Sequence, residues 1–210
     1  MKRNTLFMYI AVTLAVLIPS PARFGYGLIV ILCINFLMLI ATASGKLLDF
    51  LNLDSLRAVV ILILMVYASV LFRQIVILYS ALCALNLGFV LYLPISAVLM
   101  LGNCFENSNI NMLNLLKSNM KESLFFSLYA MFFFLVREIA GYGTISFPVP
   151  HGLVKLSLPQ IIEHSPGTFW ATIPGSIVLA GLLLAGVTLI RKKCSIISRS
   201  KELKEIFYAD

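Results

Sequence analysis

The feature that most constrains this sequence is a series of apolar stretches too long for a soluble domain. Phe24–Ala43 contains 20 residues with no charged side chain, and Ala58–Tyr79 contains 22 residues with Arg73 as its one charge. About 20 consecutive apolar residues suffice for a helix to cross the hydrocarbon layer of a bilayer. Because 60% of the 210 residues are hydrophobic and only 12% are charged, a soluble fold could not bury this much apolar surface. The sequence therefore predicts an integral membrane protein.

Six apolar segments are predicted to form transmembrane helices. The first segment follows Met1-Lys2-Arg3 as in a signal peptide, but it is followed by a poor cleavage motif and by further spans, so we interpret it as a retained helix. It is also short, and the fourth segment is interrupted by Pro94, which removes a helical hydrogen bond. The six segments are Leu6–Ile18, Phe24–Ala43, Ala58–Tyr79, Leu82–Leu101, Leu124–Ala140 and Ala171–Ile190.

This pattern predicts an all-α fold of six transmembrane helices in two inverted halves. The irregular first and fourth segments lie three spans apart, and an odd number of spans places the two halves in opposite orientations. We expect one polytopic membrane domain over residues 1–195, with halves of about 1–80 and 81–195 and shortened first and fourth helices. Residues 196–210 are predicted to form a charged cytoplasmic tail.

The distribution of positive charge predicts the orientation. With both termini in the cytoplasm, twelve cations fall inside, three fall outside and Arg73 lies within the membrane, which satisfies the positive-inside rule. The formal charge of +7 does not indicate nucleic-acid binding, because six of the sixteen cations lie from Arg191 onward and no basic patch with interleaved aromatic residues is present. The three outside cations are Arg23, Arg137 and Lys155.

Several short motifs occur in the order found in one family of membrane proteins. They are "REIAGYGT" at the end of the fifth segment, "IEHSP" (Ile162–Pro166), "IPGSIVLAGLLLAG" (Ile173–Gly186), the pair Asn103-Cys104, "TLAV" (Thr13–Val16) and "GYGL" (Gly25–Leu28). On these residues the chain resembles the membrane subunits shared by the Rnf electron-transport complex and the sodium-translocating NADH:quinone reductase. The resemblance covers most of the chain and is most specific in the fifth and sixth segments.

The resemblance implies a cofactor and a partner. In that family, two homologous six-span subunits hold one [2Fe–2S] cluster in the membrane, each with a cysteine from its first span and another from its fourth. The fourth-span ligand corresponds to Cys104, whereas the first-span position corresponds to Ala11, whose methyl group cannot ligate iron. Cys33 in the second segment is the alternative for a displaced ligand.

Arg137 and Glu138 have two readings. In one, the pair anchors and packs the end of the fifth helix, and Gly141 and Gly143 terminate that helix. In the other, the pair is an intramembrane charge pair that lines an ion path. Consecutive helical residues point about 100° apart, so the two side chains need not contact each other.

The resemblance implies an integral subunit of an Rnf- or Nqr-type complex in the bacterial inner membrane, which couples electron flow from ferredoxin or NADH to Na⁺ or H⁺ movement. The other subunits of the complex and the lipid bilayer are the expected partners. The sequence shows no catalytic residues of its own and no nucleotide or flavin motif. Two alternatives remain open: a membrane component for small-solute uptake of the energy-coupling-factor type, and a degenerate, cluster-free structural subunit of the same complex.

Overall fold

A computed structural model describes residues 5–51, 56–102, 112–157, 167–186 and 188–189. The protein is mostly helical. Its elements, in chain order, are α1 (Thr5–Val12) with a π-helical turn (Thr13–Leu17), α2 (Phe24–Phe50), α3 (Arg57–Tyr79), α4 (Ala81–Leu87) with a 3₁₀ turn (Gly88–Tyr92), α5 (Pro94–Leu101), α6 (Met112–Tyr142), β1 (Thr144–Val149), β2 (Gly152–Ser157), a 3₁₀ turn (Thr168–Ala171) and α7 (Ile173–Gly186).

Within the described residues, three helices are long and apolar enough to cross a membrane: α2, α3 and α6. The pair α4–α5 makes a fourth candidate if its two parts, bent by 43°, are taken as one span. The two remaining apolar helices, Phe7–Leu17 and α7, are shorter. Each of the six predicted segments therefore contains helix among the described residues, and length and composition support three to four spans.

Helix α2 is the centre of the fold. It packs against α6, α3 and α5, and 61% of its apolar stretch is buried, compared with 33% for α3. Gly27 makes the approach of α6 possible, because a Cβ atom at this position would lie 2.4 Å from the ring of Phe134.

A row of hydrogen bonds joins α2 to α6 farther along α2 and nearer the start of α6. The Asn35 amide donates to the Ser127 hydroxyl and accepts from the Ser123 hydroxyl, each at 2.8 Å. The Asn119 amide donates to the Thr42 hydroxyl at 3.1 Å. Such side chains join membrane helices because the hydrocarbon offers them no other partners.

The irregular first segment ends in a π-helical turn. The N–H of Ile18 donates to the carbonyl of Thr13 at 3.1 Å, five residues back, and the Thr13 hydroxyl donates to the carbonyl of Tyr9 at 2.6 Å. Pro19 has no N–H and cannot continue this pattern. The chain consequently reverses between Ile18 and Arg23 before α2 begins.

The fourth segment is broken as the position of Pro94 predicts. Pro94 is the first residue of α5, where its missing N–H is tolerated. The bend leaves the carbonyl of Leu91 outside a regular helix, and it accepts hydrogen bonds from the Ser69 hydroxyl (2.9 Å) and the Cys33 thiol (3.6 Å). Protein groups thus satisfy backbone that lipid could not.

The sequence predicts an all-α fold, but the structure also contains two strands. β1 and β2 form an antiparallel hairpin immediately after α6. Val149 pairs with Gly152 at the turn, and the register continues to Thr144 opposite Ser157. Gly152 has a φ angle of +127°, which favours glycine at this position. The hairpin packs against the start of α2 through β1, and β1 also contacts α6.

Candidate functional site

The candidate site lies where the end of α6 meets the reversal between α1 and α2. Arg137 and Glu138 are both buried there, with exposed fractions of 2% and 0%. Since they are consecutive on a helix, their side chains diverge, and each contacts a different part of the reversal. Buried charges of this kind are costly unless they are paired or hydrogen-bonded.

Arg137 binds backbone carbonyls at the end of the first helical segment. Its Nη1 atom donates to the carbonyls of Leu17 (3.2 Å), Ile18 (3.4 Å) and Ser20 (2.9 Å). Its Nη2 atom donates to the carbonyl of Ala171 at 3.0 Å, just before α7. The carbonyls at a helix C-terminus carry partial negative charge, so the guanidinium is stabilised there without a carboxylate.

Glu138 binds the opposite kind of helix end. Its Oε2 atom accepts from the N–H of Phe24, the first residue of α2, at 2.6 Å, and from the N–H and hydroxyl of Ser146 at 3.1 and 2.8 Å. Its Oε1 atom accepts from the Thr144 hydroxyl at 3.1 Å. A carboxylate is favoured at a helix N-terminus, where free N–H groups carry partial positive charge.

Arg23 is the third charged residue of the site. Its Nη1 atom lies 3.4 Å from Oε1 of Glu138 and 3.2 Å from the hydroxyl of Thr144. Its guanidinium also stacks over the ring of Tyr142, 4.1 Å from the ring centroid. Arg23 is partly exposed, so it links the buried carboxylate to the surface.

The two glycines after the pair have different roles. Gly143 has a φ angle of +62° and its N–H donates to the carbonyl of Ile139, so it terminates α6 with a left-handed residue. Gly141 lies inside the helix, and a Cβ atom there would approach the Cβ of Ala171 to 3.0 Å. Its lack of a side chain therefore lets α6 contact the segment that precedes α7.

Together these contacts form a clamp, which we define as Arg137, Glu138 and Arg23. The clamp holds the C-terminus of one helix and the N-terminus of the next, and every charged group in it has an opposite charge or dipole as partner. Because both carboxylate oxygens of Glu138 are occupied by donors from the protein, the geometry is that of a fixed structural device. This geometry favours the interpretation of Arg137 and Glu138 as a packing device over the interpretation as an ion path.

The described part of the chain contains only some of the residues implied as cluster ligands. Ala11 is half-buried in α1, and Cys104 lies outside the described residues. Cys33 and Cys83 are buried free thiols that donate weakly to the carbonyls of Leu91 and Gly152. No group of three or more histidine, cysteine or acidic side chains placed to hold a metal occurs among the described residues.

Three contributors to the site were not singled out from the sequence: Arg23, Thr144 and Ser146. The spacing of Thr144 and Ser146 was the available signal, because residues two apart in a strand lie on the same face. That face is the one turned towards Glu138. Recognising it required the prediction of a strand after α6.

Comparison with known proteins adds no identification. No protein-family model matches the chain, and no curated protein matches it.

Proposed function

We propose that the chain is an integral membrane subunit of an ion-translocating electron-transport complex of the Rnf or Nqr type. In this proposal six segments lie in the bacterial inner membrane as two inverted halves, with both termini in the cytoplasm. The subunit works beside a homologous six-span subunit, and the complex couples electron flow from ferredoxin or NADH to movement of Na⁺ or H⁺. The proposal rests on the sequence motifs that resemble those of this class of subunit.

The observation that carries the proposal is the contact between the two irregular segments. Both α1 and its π-helical turn pack against α5, the second part of the broken fourth segment. In the two proposed halves of the chain, these segments hold the same position. Corresponding interrupted helices that meet inside a membrane protein are typical of sites at the interface of inverted repeats.

The residues present do not fit a conventional [2Fe–2S] ligand set. Four thiolates are the usual ligands, and a subunit in this class supplies two, whereas Ala11 replaces one of them here. Cys104 remains the one candidate ligand at a position implied by the resemblance. The proposal therefore assigns no step to a cluster.

A second candidate, a cluster-free structural subunit of the same complex, is favoured by Ala11. In that case the chain contributes membrane packing and an interface, and the clamp and the broken helices serve to shape that interface. Both candidates predict the same partner subunits. They differ in whether Cys104 is required for iron binding by the complex.

Purification from native membranes tests the proposal. A tagged full-length chain is expected to copurify with a homologous six-span subunit and a flavin-bearing subunit, and mass spectrometry of the eluate identifies them. Copurification with a pair of ATPase subunits instead would show that the chain belongs to an uptake system. An untagged strain provides the background.

Cysteine variants in the same preparation separate the two candidates. If the complex holds a cluster at this subunit, Cys104→Ser is expected to abolish its electron paramagnetic resonance signal and lower the iron content, while Cys194→Ser leaves both unchanged. For a cluster-free subunit, Cys104→Ser leaves assembly and electron transfer unchanged, since the two side chains are close in size.

A further inference from the structure

The outward face of α6 carries a groove that the clamp does not involve. Its volume is about 610 Å³. The described residues that line it all belong to α6: Lys117, Met120, Lys121, Leu124, Phe125 and Leu128. The groove is therefore basic at one end and apolar along the rest of its length.

The two lysines form a single basic end. Lys117 and Lys121 are four residues apart, so they lie on the same face of the helix, one turn from each other. Both side chains are exposed, and neither forms an ion pair within the described part of the chain. Glu122 is the carboxylate nearest to them along α6, and it is half-buried and does not belong to the described lining.

The groove as a whole, from its first lysine to its apolar end, has about the length of one lipid leaflet. Lys117 and Leu128 are eleven positions apart, which corresponds to about 16 Å along a helix. Half of a hydrocarbon core of about 30 Å is about 15 Å. A phosphate held at the lysines would thus place its acyl chains along the groove and end them near the bilayer midplane.

The apolar path continues beyond this depth. A second groove of about 400 Å³ shares Phe125 and Leu128 with the first and extends to Leu135. Its described lining contains no charged side chain. An acyl chain that enters from the lysine end therefore meets an uninterrupted apolar surface.

We propose that the α6 groove, defined by the six residues above, binds one anionic phospholipid. The ammonium groups of Lys117 and Lys121 hold its phosphate, and the surface formed by Leu124, Phe125 and Leu128 holds an acyl chain. Two ammonium groups with no carboxylate partner among the described residues favour a headgroup of net negative charge over a zwitterionic one. The inference requires membrane insertion and is independent of the proposed electron-transport role.

Native mass spectrometry of the full-length protein in mild detergent tests the inference. Phosphatidylglycerol and phosphatidylcholine with identical acyl chains are added at equal concentration, and the bound fraction of each is measured. The expected result is preferential retention of phosphatidylglycerol. Each lysine near an anionic surface contributes about a fivefold factor, so the double variant Lys117→Gln/Lys121→Gln is expected to lose this preference by roughly 25-fold.

Two matched controls make the result specific. Lys155→Gln removes one exposed lysine from β2 and is expected to keep the preference, while Leu128→Trp fills the groove and is expected to weaken binding of phosphatidylglycerol. Leu62→Trp, at an exposed position of α3, is the control for added bulk. Equal retention of the two lipids, an unchanged preference in the double lysine variant, or crosslinking of the groove to a second copy in place of lipid would overturn the proposal.

Discussion

Arg137 and Glu138 show how two neighbouring residues of opposite charge can be used without contacting each other. The arginine binds carbonyls of the segment that ends before α2, and the glutamate binds N–H groups at the start of α2. Each charge therefore meets the helix end whose dipole stabilises it. An exchange of the two residues would place each charge against the wrong end.

The glutamate is the more sensitive member of the clamp. In Glu138→Ala, the N–H groups of Phe24 and Ser146 lose their acceptor and the Arg23 guanidinium loses its counter-charge. Removal of one partner from a buried charged network is expected to lower the free energy of unfolding by about 3–5 kcal/mol. The loss in Glu138→Gln should be smaller, because the amide keeps one acceptor oxygen.

Reversible unfolding in mixed micelles, followed by circular dichroism, measures this effect. Glu122→Ala, at a half-buried position of the same helix, serves as the control and is expected to change the free energy by less than about 1 kcal/mol. If Glu138→Ala and the unmodified protein had equal free energies of unfolding, the clamp would not stabilise the fold and this prediction would be wrong.

Only part of this site is predictable from the sequence. A helix end near Gly143 is predictable, because a left-handed glycine after an apolar run is a local signal. The partners that Arg137 and Glu138 bind at the two helix ends before α6 are not predictable in this way, since they lie 114 to 120 positions earlier in the chain. No local rule relates a charge pair to a helix reversal at that separation.

The contact between α2 and α6 depends on the absence of a side chain at Gly27. In Gly27→Ala, the new methyl group would overlap the Phe134 ring, so the helices must separate or the ring must move. Overpacking of this kind is expected to lower the free energy of unfolding by about 1–3 kcal/mol. In a Phe134→Leu background the same substitution should cost at least about 1 kcal/mol less, because the two changes are coupled.

Gly181→Ala is the control for this pair, because a Cβ atom at that position of α7 has no described neighbour within 4 Å. It is expected to leave stability unchanged or to raise it slightly, since alanine has the higher helix propensity. Additive effects of Gly27→Ala and Phe134→Leu would mean that the close approach does not govern the packing.

Among the secondary-structure elements, the helices follow from hydropathy and the hairpin does not. Apolar length predicts α2, α3 and the part of α6 from Leu124 onward, and Pro94 predicts the break in the fourth segment. The start of α6 at Met112 lies outside the predicted segment. The hairpin was missed because Pro148 and Pro150 interrupt its alternation of apolar and polar residues. It is supported by tertiary contacts instead, with Ser146 bound to both Glu138 and the N–H of Gly25.

For the molecule as a whole, the cation count predicts that both termini are cytoplasmic. Alkaline phosphatase fused after Ser200 is then expected to be inactive, and the same enzyme fused after His151, in the hairpin turn, is expected to be active. The physical reason is that phosphatase folds only after export from the cytoplasm. Strong activity of the Ser200 fusion would overturn both the orientation and the inverted halves.

The clamp also has a consequence for the order of events on the ribosome. Ser20 and Phe24 are translated 117 and 114 residues before the side chains that bind them. At about 5–20 residues per second, this delay is roughly 6–23 s. During that interval the first two helices are inserted while the turn between them lacks its contacts with Arg137 and Glu138. The backbone of this turn must therefore stay hydrated at the bilayer surface. A stalled nascent chain that stops before Arg137 should therefore leave a Ser20→Cys thiol open to a water-soluble maleimide, and a chain released after Ser157 should protect it.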